Sequence, residues 1–212
     1  MSIAYPNVDH EPVFAQAWND PRNTRFELPP IDVNRVLSER YRLQRPLRLT
    51  RSQLWEMEGR KARRPDRYIP YVVEPGSAAV WADQGERERV ERFVRKSRQR
   101  LWLQPERYEL ILEQTRADHA QQKVTFIGAA EYPGPDGAPL RAGSGQPIFH
   151  VVHGVGGEET QPLNLWSVVF LTDRQDSRLL EPFVRMAHEG WLPGYVEIYI
   201  RDDLKVGLSR RD

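Results

Sequence analysis

The chain has 212 residues, enough for one domain or for one domain with an extension, and its 31 basic and 30 acidic side chains leave a net charge of +1. A hydrophobic share of 39% and a mean hydropathy of −0.68, with no window near the roughly 18 apolar residues that a spanning helix needs, exclude a helical membrane protein. The near-zero charge argues against a general nucleic-acid binder, and the lack of cysteine removes disulfides, thiolate nucleophiles and Cys-based zinc sites.

Residues 1–20 carry Asp9 and Glu11 with no basic start or apolar run, so they do not read as a secretory leader, and a cytoplasmic domain is expected. Six Trp, eight Tyr and seven Phe supply anchors for a packed core. Only Lys61, Lys96, Lys123 and Lys205 are lysines; the bias to arginine reads mostly as codon usage. The first 39 residues stand apart. Pro6, Pro12, Pro21, Pro29 and Pro30 oppose a long helix or a central strand, while Tyr5, Phe14, Trp18 and Phe26 want burial. An extended arm over 1–39 is expected, packed on the main domain or on a second copy in a homodimer; a disordered leader is the alternative.

Tyr41 to Leu49 alternates like a strand. Thr50 and Gln53 form a capping box, predicting a helix whose Leu54, Trp55, Glu58, Lys61 and Ala62 share a partly apolar face until Pro65 ends it. Strands are expected over 77–82, 88–97, 101–103, 108–115, 123–132, 148–155 and 164–172. The stretch 88–97 also fits a helical period, but the Asp83-Gln84-Gly85 turn favours a hairpin. Pro133 to Pro147 reads as a Gly/Pro flap, and Gly156-Gly157 as a break between the last two strands. Leu179, Leu180, Phe183, Val184 and Ala187 make a helical stripe interrupted at Gly190 and Pro193-Gly194; Tyr195 to Ile200 fits strand or helix.

The order of a helix, several antiparallel strands and a C-terminal helix is the helix-grip order. The stretch Pro46-Leu47-x-Leu49-Thr50-Arg51-x-Gln53-Leu54-Trp55, followed by Lys61-Ala62-Arg63 and Tyr68-Ile69-Pro70, resembles the opening of START-like proteins of the polyketide-cyclase superfamily. Ile200-Arg201 with Leu204 and Gly207 is similar to the end of that family's C-terminal helix. The resemblance covers residues 40–208. It implies an α+β helix-grip fold, a curved antiparallel sheet wrapped around a long C-terminal helix, with an apolar cavity between them. Family members bind lipids, hormones or polyketide-like rings, and some cyclise or dehydrate them without any cofactor.

His150 and His153 are candidate catalytic residues. Three positions apart on a strand they point to opposite faces, so one faces inward, where a near-neutral pKa suits proton transfer; the alternative is a hydrogen-bonded core histidine. Glu113 and Glu131 each follow an apolar set; on a concave face such a carboxylate is desolvated and can act as acid or base, on a convex face it is solvated charge. Trp81, Trp102, Tyr132 and Trp166, with Arg92, are the expected pocket residues, and the rings serve equally as core. Arg92 and Arg95 also belong to a run from Arg87 to Arg100 that would make a basic patch, were it not interleaved with Glu86, Glu88 and Glu91. No metal spacing surrounds His119, and no phosphate loop, nucleophile elbow or dinucleotide fingerprint occurs, so neither metal nor cofactor is expected. The favoured function is enclosure of a hydrophobic, polyketide-like or aromatic small molecule, with cofactor-independent cyclisation or dehydration as its enzymatic form. A carrier or sensor with the same cavity, and an interaction subunit with a filled core, are the alternatives. Neither nucleic acid nor membrane insertion is expected.

Overall fold

A computed structural model describes residues 8–87 and 89–211; Tyr5, Pro6 and Glu88, read above as part of the arm and the charge run, lie outside them. Helix α1 (His10–Asn19) precedes strand β1 (Thr24–Asp32) and helix α2 (Val33–Arg40), which Asp32 caps by accepting from the Arg35 N–H at 3.0 Å. Strand β2 (Tyr41–Leu43) is short because Pro46 follows, and α3 (Arg51–Arg63) comes next. The capping box forms in full: Gln53 N–H donates to Thr50 Oγ1 at 3.1 Å and Thr50 N–H donates to Gln53 Oε1 at 3.0 Å. Pro65 ends α3 and opens the single turn α4 (Pro65–Tyr68).

The sheet segment then runs through β3 (Ala79–Trp81), β4 (Glu86–Arg87), β5 (Val90–Arg100), β6 (Tyr108–Asp118), β7 (Lys123–Ala129), β8 (Glu131–Pro133), β9 (Pro139–Arg141), β10 (Phe149–Glu158) and β11 (Gln161–Phe170). Helices α5 (Glu181–Glu189) and α6 (Gly194–Ile198), a π-helical turn at Tyr199–Asp203 and strand β12 (Leu208–Arg210) close the chain. The main sheet has the order β1-β11-β10-β7-β6-β5-β3, with β4 also on β5, and its pairs are antiparallel. The fold is α+β of the helix-grip type, with α3 packed on β7, β10 and β11 and α5 on β1.

Several expectations need correction. The segment read as an arm supplies a helix, an edge strand and a second helix: Thr24 to Leu28 pair in register with Phe170 to Trp166, and Phe26 joins the inner face. Pro29 and Pro30 sit where the β1–β11 register shifts, a place that tolerates residues without an N–H. Helix α1 lies on the opposite face of the sheet, where Glu11 Oε1 accepts from the Thr125 hydroxyl at 3.2 Å. Gly156-Gly157 does not break β10 from β11; Gly157, at φ +75°, lets the strand run into its hairpin. The expected flap takes in the turn and second strand of the β8–β9 hairpin, whose first strand begins before it at Glu131. The C-terminal helix is not one long rod, because Gly190, at φ +68°, caps α5 and Pro193 restarts the helix as α6. Tyr195 to Ile200 is helical, its Tyr195, Val196, Ile198, Tyr199 and Ile200 all buried.

Candidate functional site

Residues directly opposite one another in a sheet share a face, so the register assigns every strand residue to a side. One inner row runs Phe93, Thr115, Phe126, Val151, Val168, Phe26, and the next runs Ala117, Val124, His153, Trp166, Leu28. An outer row runs Trp81, Val94, Gln114, Ile127, His150, Val169. The two candidate histidines therefore point apart, and His153 is the inward one. His150 is buried on the outer face, where its Nδ1 accepts from the Gly128 N–H at 3.1 Å and burial lowers its pKa.

Between the inner face and helices α3, α5 and α6 lies a cavity of about 260 Å³. Trp102, Trp166, Phe126, Phe149 and Phe183 contribute to its walls, with Met186 from α5. Phe183 is the hub, its ring 4.7 Å from Trp102 and 4.8 Å from Trp166. Trp102 and Trp166 thus stand where a ligand would meet them. The other expected pocket residues do not. Trp81 and Tyr132 pack together at 6.1 Å in an outer-face cluster with Val94 and Leu112, and Trp81 Nε1 donates to the Pro133 carbonyl at 2.9 Å. Arg92 stands opposite Arg116 on the outer face, away from the cavity. The strand alternation was legible, but which parity faced inward was not. Glu131 is exposed and pairs with Arg141 on the β8–β9 hairpin.

Two buried ion pairs supply the polar side of the cavity, lined by Lys61, Arg95 and Glu113. Glu113 faces Arg95, whose Nε donates to Glu113 Oε2 at 2.7 Å while Nη1 donates to the Ala62 carbonyl at 2.8 Å. The guanidinium also lies 4.0 Å over the Phe126 ring. The second pair comes from α3, where the i, i+3 spacing turns Glu58 and Lys61 to the same side. Lys61 Nζ lies 2.9 Å from Glu58 Oε1, 2.8 Å from His153 Nδ1 and 3.6 Å over the Tyr195 ring. Tyr195 in turn donates its hydroxyl to Asn164 Oδ1 at 2.9 Å.

Burial dominates the electrostatics of this cluster. It drives the His153 pKa down to about 4, helped by the Lys61 charge, so the imidazole is neutral near pH 7. It also lowers Lys61 to about 8, against the pull of Glu58. Burial, the largest single influence on Glu58, would raise it, but the charges and hydrogen bonds of Lys61 and His153 together outweigh it and hold the carboxyl at about 2. An ammonium donating to Nδ1 selects the tautomer with its proton on Nε2. Lys61 and His153 therefore form a chain that can pass a proton from Nζ through the imidazole to an oxygen in the cavity.

Glu58, Lys61, Arg95, Phe183 and Tyr195 were not among the expected site residues. Glu58 and Lys61 carried a signal nonetheless: two opposite charges on the apolar stripe of an amphipathic helix need a buried partner. His119, also considered for a metal, accepts from Trp55 Nε1 at 3.1 Å and contacts Glu91 at 2.8 Å. Among the described residues, no group of three or more His, Cys, Asp or Glu could hold a metal ion, and no helix is long and apolar enough to cross a membrane.

Among solved structures, the Zhui aromatase/cyclase of Streptomyces sp. R1128 is similar in fold, with a TM-score of 0.51 at 11% identity over 84% of this chain and 95% of that one. Ara h 8.0201 has a TM-score of 0.48 at 11% identity over 83% of this chain and 95% of its own. A protein of Thermus thermophilus has a TM-score of 0.43 at 13% identity over 86% and 97% of the two chains. No protein-family model matches the chain, and no curated protein matches it.

Proposed function

We propose that this chain, which has the helix-grip fold of START-like polyketide cyclases, encloses a hydrophobic, polyketide-like or aromatic molecule and catalyses its cofactor-independent cyclisation or dehydration. One observation carries the reading: the buried Lys61–His153 pair, 2.8 Å apart, sits on the wall of an aromatic-lined cavity. Flat rings favour flat, partly aromatic ligands, and a cavity of this kind holds a flexible chain in a reactive fold, lowering the entropic cost of ring closure. The likeness to an aromatase/cyclase supports the same class of chemistry.

In this reading His153 is the general acid. Its Nε2 proton goes to a ligand carbonyl or hydroxyl oxygen as that oxygen becomes an alcohol or leaves as water, Lys61 restores the ring through Nδ1, and the neutral Lys61 amine so formed takes the proton that the ligand's α-carbon loses. Arg95 is the second cation of the cavity, held by Glu113, and favours oxyanion character in the bound chain. Glu113 is then a positioning residue. The protein would work in the cytoplasm.

The test is saturable displacement of 1-anilinonaphthalene-8-sulfonate by bicyclic aromatic ketones, followed by turnover assays on β-hydroxy ketone analogues with the wild type and His153→Asn. Water loss by the wild type, with binding kept and turnover cut at least 100-fold in His153→Asn, is the expected result. Saturable binding with no turnover by the wild type would replace the enzyme with a carrier, and no binding at all would leave a filled-core subunit.

A further inference from the structure

Lys61 is an unusual lysine for this chain. Lys205 is exposed and Lys96 half-buried, and Lys123 is held by Glu11 at 2.5 Å, whereas Lys61 is 3% exposed and lines the cavity. A cation placed so deep is a poor investment for stability alone, since burial of an ion pair rarely gains over a packed apolar pair. Its immediate surroundings are those of a reactive amine: an acceptor nitrogen on His153, a carboxylate on Glu58, and the Tyr195 ring face at 3.6 Å.

We propose that Lys61 is a covalent site for carbonyl compounds, forming an imine with an aldehyde or ketone bound in the cavity. The inference rests on the cavity reading above and narrows its ligand class to carbonyl-bearing molecules. The amine lone pair forms the C–N bond while the carbonyl π pair moves to oxygen. His153 accepts a nitrogen proton at Nδ1 and delivers the Nε2 proton to that oxygen, giving the carbinolamine; exchange with solvent water, one proton lost from Nδ1 and one gained at Nε2, restores the ring, and a second relay releases the oxygen as water. Two protons leave the nitrogen and two reach the oxygen, so the sum is amine plus carbonyl giving imine plus water. Glu58, at 2.7 Å from Nζ, then balances the iminium formed when the imine is protonated, as it balances the ammonium now. Lys61 is lowered to about 8 by burial, which makes free amine available at mildly alkaline pH, unlike an exposed lysine.

The experiment incubates the full chain with 2-naphthaldehyde and sodium cyanoborohydride at pH 7 to 9 and maps the reduced adduct by peptide mass. The other three lysines serve as internal standards. Labelling of Lys61 at least 10-fold faster than of Lys205, rising with pH through about 8, is expected. Lys61→Arg, which keeps the cation, removes that adduct and keeps a cooperative melt, while Lys205→Arg, outside the cavity, keeps both the Lys61 adduct and displacement of 1-anilinonaphthalene-8-sulfonate. Labelling at Lys61 no faster than at the other lysines, with fluorophore binding intact, overturns the imine and leaves the cavity reading standing. Loss of fluorophore binding in the wild type overturns the cavity reading, and the imine with it.

Discussion

Arg95 and Glu113 face one another across β5 and β6 with Nε 2.7 Å from Oε2, at side-chain exposures of 7% and 2%. Neither charge has water to fall back on, so removing one partner strands the other. Glu113→Leu should cost about 3–5 kcal/mol, and the double variant Arg95→Met/Glu113→Leu should be the more stable of the two. Urea midpoints measured on both proteins check this. A double variant as unstable as the single one would show that the guanidinium is needed for more than charge balance.

Acid should destabilise the protein in a defined window. His153 is held at about 4, below the ordinary 6.5, by burial first and the Lys61 charge second. Between those values the unfolded chain binds a proton that the folded one refuses. Stability therefore falls as pH drops from about 6.5, and the loss is complete below about 4, at about 3 kcal/mol for this residue. His10, lowered to about 4 chiefly by burial, steepens the same limb. Denaturation at pH 7 and pH 4.5 should show a smaller difference for His153→Asn than for the wild type.

Phe183 joins α5 to the sheet through Phe26, Trp102, Trp166 and Phe170. Phe183→Ala should cost about 3–5 kcal/mol, the range for emptying an aromatic core site. It should also weaken fluorophore binding, because the wall over the cavity loses its fixed rings. Calorimetry and a binding titration read the two effects separately. Full stability with unchanged affinity would mean that α5 is not part of the cavity.

Truncation separates an appended arm from an integral strand. Deleting residues 1–19 removes α1 and should leave a folded sheet with a lower midpoint. Deleting residues 1–32 takes away β1, exposing the unpaired edge of β11 and the rings of Trp166 and Phe183. The second protein should aggregate on expression, as an uncovered apolar edge strand does. Light scattering of the two purified chains decides it, and a soluble, monomeric second chain would sink the idea that β1 is integral.

Local chemistry was readable residue by residue. The Thr50–Gln53 box, the stop at Pro65, the strand periods around Ile127 and Val151, and the interruption at Gly190 depend on neighbours a few positions away. So does the opposition of His150 and His153, which follows from a period of two. The resemblance in residues 46–70 supplied the architecture that those periods could not.

What chain order alone determined, then, was the helix that follows Thr50, the long strands of the sheet from β5 to β11 and which side chains must point apart. It could not choose the inward parity, because both faces of this sheet are covered, one by α3, α5 and α6 and the other by α1 and the β8–β9 hairpin, so apolar residues occur on each. Only the packed structure decided that His153 and Glu113 enter the cavity while His150, Trp81, Tyr132 and Arg92 do not. It alone set Lys61 beside His153, 92 positions away, since that contact exists only once α3 is laid on β10. For the same reason a proline-rich beginning became an edge strand: its partner, β11, lies more than a hundred residues downstream, and the burial of Phe26 against Trp166 and Phe183 is what draws it there.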